Sequence, residues 1–430
     1  MKKALKKVLS LTLALLLVCS MLPAASAAGT GDNWVSAWST SPISASLSEL
    51  GVLDDLGVTV AAVSSRVTVQ PTASGSQVRL TFSNEYGLLP LTISSCTVAK
   101  TGSNSKTIIS CTLKQVRFNG RVLKSIPAGK TLTSDPINMQ VTAGEKLTVT
   151  TYYRGINTMR TIGLIGGDSY VAIGNYTHLR SMAVGIPMEY TADSGAYEVI
   201  PSLKEIDVNA DAGTNTCVIF GDSTVANEIP RMLENRLQAN GITNVSVTQE
   251  AIKGNRLVAD GVGKAANLLG SAGIKRFERD VLQQAGVDSV IVKLGINDVV
   301  HPYCASKKDV LSPVPLYEMI AGYNQLIEMA HAQGVKIYFC ELAPWKGYTR
   351  NVFNKGDDVQ WTPEIDQLRL DINAWFQSSD CRADGYIALD GLADPADPFA
   401  LLPAYTTDGI HHTPAGQKAF TDLIPLDLFR

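Results

Sequence analysis

Four side chains in this sequence are of types that could act together on one bond: Ser223, Asn297, and the pair Asp408 and His411. A serine hydroxyl is a poor nucleophile until a base takes its proton, and histidine is the side chain best matched to that task near neutrality. The base needs a carboxylate on its other ring nitrogen to fix the tautomer and steady the imidazolium. Asp408 and His411, three apart in one loop, can reach each other without help from the rest of the fold. Attack on a carbonyl creates an oxyanion, which needs preorganised donors. The Ser223 and Gly254 backbone N–H groups and the Asn297 side chain are candidates, each worth roughly 3 kcal/mol by analogy with measured oxyanion holes. The chemistry these types could perform is acyl transfer through a serine ester.

Each residue alone has a plainer reading. Ser or Asp at a strand-to-helix joint often serves as a helix N-cap, and Asn297 alone would also read as a cap. Five histidines are present, His178, His301, His331, His411 and His412. A lone histidine is usually a surface or satisfied core residue, the reading taken for the first three, with His331 solvated on its helix. His411 is preferred over its neighbour His412 as the base because of its spacing from Asp408. Asp222 and Asp298 read as turn or loop hydrogen-bonding residues.

Elements that would position these residues are visible as apolar runs. Residues 217–220 form a continuous apolar run, as in a strand covered on both faces, and Gly221 ends it with a turn that a Cβ would resist. A helix is expected from Ile229, Met232, Leu233 and Leu237 at helical spacing. Further strands are expected at 245–248, 289–294, 335–340 and 386–389, and helices at 276–284, 316–332 and 363–377. Gly334 suits a helix C-cap, and Thr413-Pro414 an N-cap and N1 pair opening a last helix. Alternating strands and helices imply a parallel sheet with helices on both faces, a three-layer α/β/α sandwich. The loops carrying Ser223, Gly254 and Asn297 then lie at the carboxyl ends of strands, where such sheets build their crevice.

The front of the chain is different. Lys2, Lys3, Lys6 and Lys7 precede an apolar run over 8–22, and Ala25-Ser26-Ala27 gives a small-residue cleavage pattern, so 1–27 reads as a secretory signal. The run is short for a membrane span, which needs roughly 20 apolar residues. Removing 1–27 takes four of 37 basic residues and none of 40 acidic ones, leaving a net charge of −7. With no strongly basic stretch, nucleic acid is excluded as a partner, and no stable membrane insertion is expected after cleavage. From 57 to 154 the chain is rich in Val, Thr, Ile and Ser and alternates, with strands expected at 77–83, 91–99, 107–118 and 146–153. Such spacing suggests a β-sandwich or jelly roll, with 155–205 as its end and a connection. Trp34 and Trp38 read as core residues or as an aromatic contact. Of the cysteines after the signal, Cys96 and Cys111 could be cross-strand partners, Cys217 and Cys340 read as buried thiols, and Cys304 and Cys381 are left open. No spacing gives a metal site.

Gly221-Asp222-Ser223, Gly254, Gly295-x-Asn297-Asp298 and Asp408-x-x-His411, in this order, resemble the four blocks of the SGNH (GDSL-type) hydrolases. Trp34-Val35-Ser36-Ala37-Trp38, Leu80-Thr81-Phe82-Ser83-Asn84, Ile126-Pro127-Ala128-Gly129, Ser134-Asp135-Pro136, Gly254-Asn255-Arg256-Leu257 and Arg276-Phe277-Glu278-Arg279-Asp280 are similar to a secreted, XynE-like subgroup with an N-terminal β domain. The resemblance implies a serine esterase without metal or organic cofactor: Ser223 as nucleophile, His411 as base, Asp408 as its orienter, and Ser223, Gly254 and Asn297 as the oxyanion hole. Two positions depart from the pattern. Thr224 stands where Leu or Ile is common, and Lys293 sits on an otherwise apolar strand, its head expected to reach solvent. The expected organisation is a signal at 1–27, a β-sandwich-like domain and connection at 28–205, and a hydrolase domain at 206–430. The expected activity is removal of short acyl groups, above all acetyl, from carbohydrate such as xylan or from another small ester, outside the cell. The alternatives are a short-chain lipase or phospholipase and a non-catalytic carbohydrate-binding protein.

Overall fold

A computed structural model describes residues 32–45, 58–192, 195–226, 228–263, 266–304, 311–348 and 359–430. The signal-like segment 1–27 lies outside them. Among the described residues no helix is long and apolar enough to cross a membrane.

The long apolar runs become a five-stranded sheet whose strands are β1 (Asn215–Gly221), β2 (Val245–Ala251), β3 (Val287–Lys293), β4 (Lys336–Cys340) and β5 (Gly385–Ile387), in the order β2-β1-β3-β4-β5. Every neighbouring pair in it is parallel. Successive side chains point to opposite faces, so one strand feeds two cores. Val218, Phe220, Val290, Val292, Ile337 and Phe339 pack with Met319, Tyr323 and Leu326 of one helix and Ile372, Trp375 and Phe376 of another. Cys217, Ile219, Ile291, Tyr338 and Cys340 pack on the other face with Ile229, Leu233, Leu237 and Phe420. The helices include α1 (Ile229–Ala239), α2 (Gly273–Phe277), α3 (Ile296–Val300), α4 (Leu316–Ala332), α5 (Pro363–Gln377) and α6 (Pro414–Leu423), with one further short turn of helix at Ala266–Leu269. Caps fix several ends: Thr362 and Thr413 hydroxyls accept from Ile365 and Gly416 N–H, with Pro at the first helical position in both cases. The expected helix over 276–284 is instead split, with α2 giving way to a π-helical turn at Glu278–Leu282. The chain leaves β1 for the β2 edge and returns to β3 on the other side, which opens a crevice at the strands' carboxyl ends.

Ahead of this sheet, two antiparallel sheets share one core. In the first, Trp34–Ser39, Leu203–Asn209, Gly75–Ser83 and Thr131–Thr133 lie side by side; in the second, Asp168–Ile173, Val63–Val69, Leu147–Tyr153 and Ser95–Lys100 do. Val78, Leu80 and Phe82 of one sheet and Val67, Val98 and Val149 of the other close the core between them. Residues 203–209 are a strand of the β region, paired on both sides, so the expected boundary at 205/206 falls inside a strand. Of the expected strand over 107–118 only Lys114–Gln115 forms, paired with residues 97–98. The middle of the stretch curls into a 3-10 turn at Ser110–Thr112, which leaves Cys111 exposed, while Cys96 is buried with its sulfur 3.5 Å from Thr151 Oγ1. The two cysteines are thus not partners, and none of the six described cysteines forms a disulfide with another. Trp38 is buried with Nε1 donating to Gly166 O at 2.6 Å, and Arg79 lies 4.6 Å over the Trp34 ring.

The β region also covers the exposed edge of β2. An uncovered edge strand presents unpaired N–H and C=O groups. Here the Thr72 hydroxyl takes the Val247 N–H at 3.1 Å and lies 2.8 Å from Val247 O, Ser39 Oγ donates to Gln249 O at 3.3 Å, and Ser246 Oγ donates to Ser36 O at 2.6 Å.

Candidate active site

β1 ends at Gly221, and the chain turns at once into a single 3-10 turn, Ser223–Val225. Asp222 caps this turn: its Oδ1 accepts from Thr224 N at 2.9 Å and from Thr224 Oγ1 at 2.8 Å. The need for glycine at 221 is one of space, since a Cβ there would stand 2.5 Å from both Lys293 O and Val225 Cγ2. Ser223 is left at the carboxyl end of the sheet beside the β1–β3 switch point.

The partner side chains arrive on the loop before α6. Asp408 Oδ1 accepts from the backbone N–H of Ile410 at 3.2 Å and of His411 at 2.9 Å, closing a tight local turn. Its Oδ2 lies 2.7 Å from His411 Nδ1, and His411 Nε2 lies 2.9 Å from Ser223 Oγ. With the carboxylate taking the Nδ1 proton, Nε2 is the acceptor for the serine hydroxyl. Gly409 has φ +97°, and a side chain there would collide with the Tyr348 backbone, so only glycine lets the loop seat against 347–348. Burial pushes the Asp408 carboxyl up. The hydrogen bond and charge of His411, with the two backbone N–H groups, outweigh it and hold the group below the ordinary carboxylate range.

Asn297, on α3 just after β3, reaches across to both neighbouring loops. Its Nδ2 donates to Asn255 O at 2.9 Å and, at 3.3 Å, to Asp222 Oδ2. Gly254, after β2, has φ +73°, and neither its N–H nor that of Ser223 has an intramolecular acceptor among the described residues. Asp298 ties the same loops together: its carboxylate accepts from Leu257 N at 2.6 Å and Val258 N at 3.2 Å. Burial raises its pKa to about 7 even against these N–H groups.

Two buried cations support this arrangement, and sequence reasoning gave neither a role. Arg276 is 1 % exposed, and its guanidinium lies 4.0 Å over the Phe220 ring. It donates to Gly221 O at 2.9 Å, Glu250 O at 3.0 Å, Asn255 Oδ1 at 2.9 Å, Ser41 Oγ at 3.1 Å and Asp280 Oδ2 at 3.1 Å. One fork thus fastens the ends of β1 and β2 to each other and to the β region. The one local signal is its i,i+4 spacing from Asp280. The second cation corrects an expectation. Lys293 does not reach solvent; it is 3 % exposed and its Nζ donates to Thr224 Oγ1 at 2.6 Å.

The other histidines stay apart. His331 pairs with Asp384 at 3.0 Å, His301 is buried after α3, and His178 is exposed. His412 stacks 6.3 Å from the Phe420 ring with both ring nitrogens buried. Among the described residues no group of three or more His, Cys, Asp or Glu is placed to hold a metal ion.

A parallel sheet presenting a hydroxyl, an imidazole and a carboxylate in one hydrogen-bonded line outside its carboxyl ends belongs to the α/β hydrolytic class. Residues 219–419 match the GDSL-like Lipase/Acylhydrolase family, and that part of the chain is a GDSL-like lipase/acylhydrolase domain, which makes the protein a carboxylic-ester hydrolase. No curated protein matches the chain. Among solved structures, similarity extends to a GDSL-like lipase from Bacteroides thetaiotaomicron, at 19% identity over 49% of this chain and 85% of that one, TM-score 0.34. A family two carbohydrate esterase from Cellvibrio japonicus is similar at 12% identity over 93% of this chain and 96% of that one, TM-score 0.33. A variant of an acetyl xylan esterase from Geobacillus stearothermophilus is similar at 17% identity over 49% and 92%, TM-score 0.33.

Proposed function

We propose that this protein is an exported serine esterase that removes short acyl groups, above all acetyl, from carbohydrate such as xylan. The observation that carries the mechanism is the continuous line Asp408 Oδ2–His411 Nδ1, 2.7 Å, and His411 Nε2–Ser223 Oγ, 2.9 Å. Ser223 Oγ attacks the ester carbonyl as His411 takes its proton, and Asp408 steadies the imidazolium. The oxyanion is received by the Ser223 and Gly254 N–H groups and the Asn297 amide. The C–O bond to the alcohol breaks, His411 returns the proton to it, and the acyl group stays on Ser223. Water, with His411 again as base, then releases the acid and restores the serine.

Export is supported by the basic, apolar and small-residue sequence of 1–27. The carbohydrate ester is supported by the resemblance of the blocks quoted above to those of XynE-like esterases. The test is acetate release from acetylated xylan by the chain from Ala28, beside its Ser223→Ala variant. Release by the wild type and none by the variant is the expected result. Activity on p-nitrophenyl acetate without xylan deacetylation keeps the esterase and removes the xylan substrate. Preference for long-chain over acetyl esters removes the carbohydrate reading, and binding to sugar without any turnover removes the enzymatic reading.

A further inference from the structure

Thr224 and Lys293, the two positions at which the sequence departs from the usual blocks, meet. They lie 69 residues apart, and Lys293 Nζ donates to Thr224 Oγ1 at 2.6 Å inside the protein. The same hydroxyl donates to Asp222 Oδ1 at 2.8 Å. A hydroxyl has one proton and two lone pairs, so Thr224 fits between an ammonium and a carboxylate as donor to one and acceptor from the other. Asp222 accepts from three donors, Thr224 N, Thr224 Oγ1 and Asn297 Nδ2, as suits an ionised carboxylate. It is fully buried, and burial drives its carboxyl up, with Lys293 the largest opposing influence. The surroundings of Lys293 offer little other polar compensation: the Phe420 ring at 5.8 Å, and the Cys340 thiol and His412 nearby.

The location of Asp222 makes this charge matter. Asn297 Nδ2 has two protons, and Asn255 O holds one at 2.9 Å. Asp222 Oδ2 holds the other at 3.3 Å, the proton that an oxyanion beside Ser223 would have to share. A full negative charge there would compete for that proton and repel the developing oxyanion.

Resting on the serine-esterase reading, we infer that Lys293 is a positioning residue for hydrolysis: through the Thr224 hydroxyl its ammonium neutralises Asp222, which frees the Asn297 amide for the oxyanion. The charge pair matters in the transition state, because the oxyanion is absent from the bound ester. Its loss therefore lowers kcat and spares KM. Thr224 and Lys293 then form one unit. A Leu at 224 would strand the ammonium, and an apolar residue at 293 would strand the carboxylate.

The experiment is steady-state kinetics on p-nitrophenyl acetate for the wild type, Ser223→Ala, Lys293→Met, Thr224→Val, Asp222→Asn and Lys293→Met/Asp222→Asn, each first checked for a wild-type circular dichroism spectrum. Lys293→Met is expected to lower kcat about tenfold or more with KM changed by less than about twofold, and Thr224→Val to do the same by severing the link without altering shape. Adding Asp222→Asn to Lys293→Met is expected to recover most of the lost kcat, since it removes the charge that Lys293 offsets. A merely structural lysine gives a double variant no better than the single one. If Lys293→Met does not fold, Thr224→Val carries the test alone. Unchanged kcat in a folded variant, or no recovery in the double variant, overturns the inference while leaving the esterase intact. A wild type no faster than Ser223→Ala overturns the esterase reading and this inference with it.

Discussion

At the scale of single residues, the site combines local and distant contacts, and only the local ones could be read from sequence. Asp408 and His411 meet because one turn brings them together, so their spacing alone was sufficient to pair them. The Thr224–Lys293 contact was illegible because nothing in either residue's neighbours points to the other, and a lysine at a strand end usually reaches water. The choice between His411 and His412 also has a physical consequence. Burial, reinforced by the charges of Lys293 and His411 and opposed by the Asp408 carboxylate, pushes the His412 imidazole down from 6.5 to about 3. Between these two values the unfolded chain binds the proton and the native one does not, so stability is lost as pH falls, by up to about 1.4 kcal/mol per unit. His412→Phe, which keeps the stacking on Phe420, is expected to gain on the wild type in urea midpoint between pH 6.5 and pH 4. Parallel midpoints across that range would show that His412 is not held neutral.

At the scale of elements, long periodic segments were legible and junctions were not. Helices α4 and α5 begin and end where their apolar spacing, Gly334 and Thr362-Pro363 place them. Residues 276–284 were misread as one regular helix because their pattern is helical while their polar members point inward to a network that a π turn accommodates. Arg276 is the centre of that network. Its five donor contacts satisfy two backbone carbonyls at strand ends, Asn255, Ser41 and Asp280 at once. Arg276→Met leaves the Asp280 carboxylate with one cation fewer and several acceptors bare, a loss expected to cost about 3–5 kcal/mol. Arg276→Lys retains charge but not the fork, and is also expected to melt well below the wild type. A melting temperature within experimental error of wild type for either variant would remove Arg276 from the frame of the site.

At the scale of the whole molecule, the β region is part of the frame that holds the strand ends. It supplies hydroxyls to the edge of β2, Ser41 to Arg276, and Tyr86, whose hydroxyl accepts from Arg279 at 3.1 Å. Glu250 is buried at this seam, where desolvation and the neighbouring Asp280 raise its pKa to about 8. The alternating Val and Thr pattern made the β character of this region legible. The pairing of 203–209 with 34–39 was not, because antiparallel partners about 170 residues apart leave no local trace. What the frame presents is one serine hydroxyl beside one oriented imidazole, and the most direct test of that claim is covalent. After incubation with a fluorophosphonate, intact-mass and peptide mass spectrometry should find a single adduct, on the peptide containing Ser223. In His411→Ala the same adduct should be absent over the same period. An adduct on another residue, none in the wild type, or equal labelling without His411 would contradict the account.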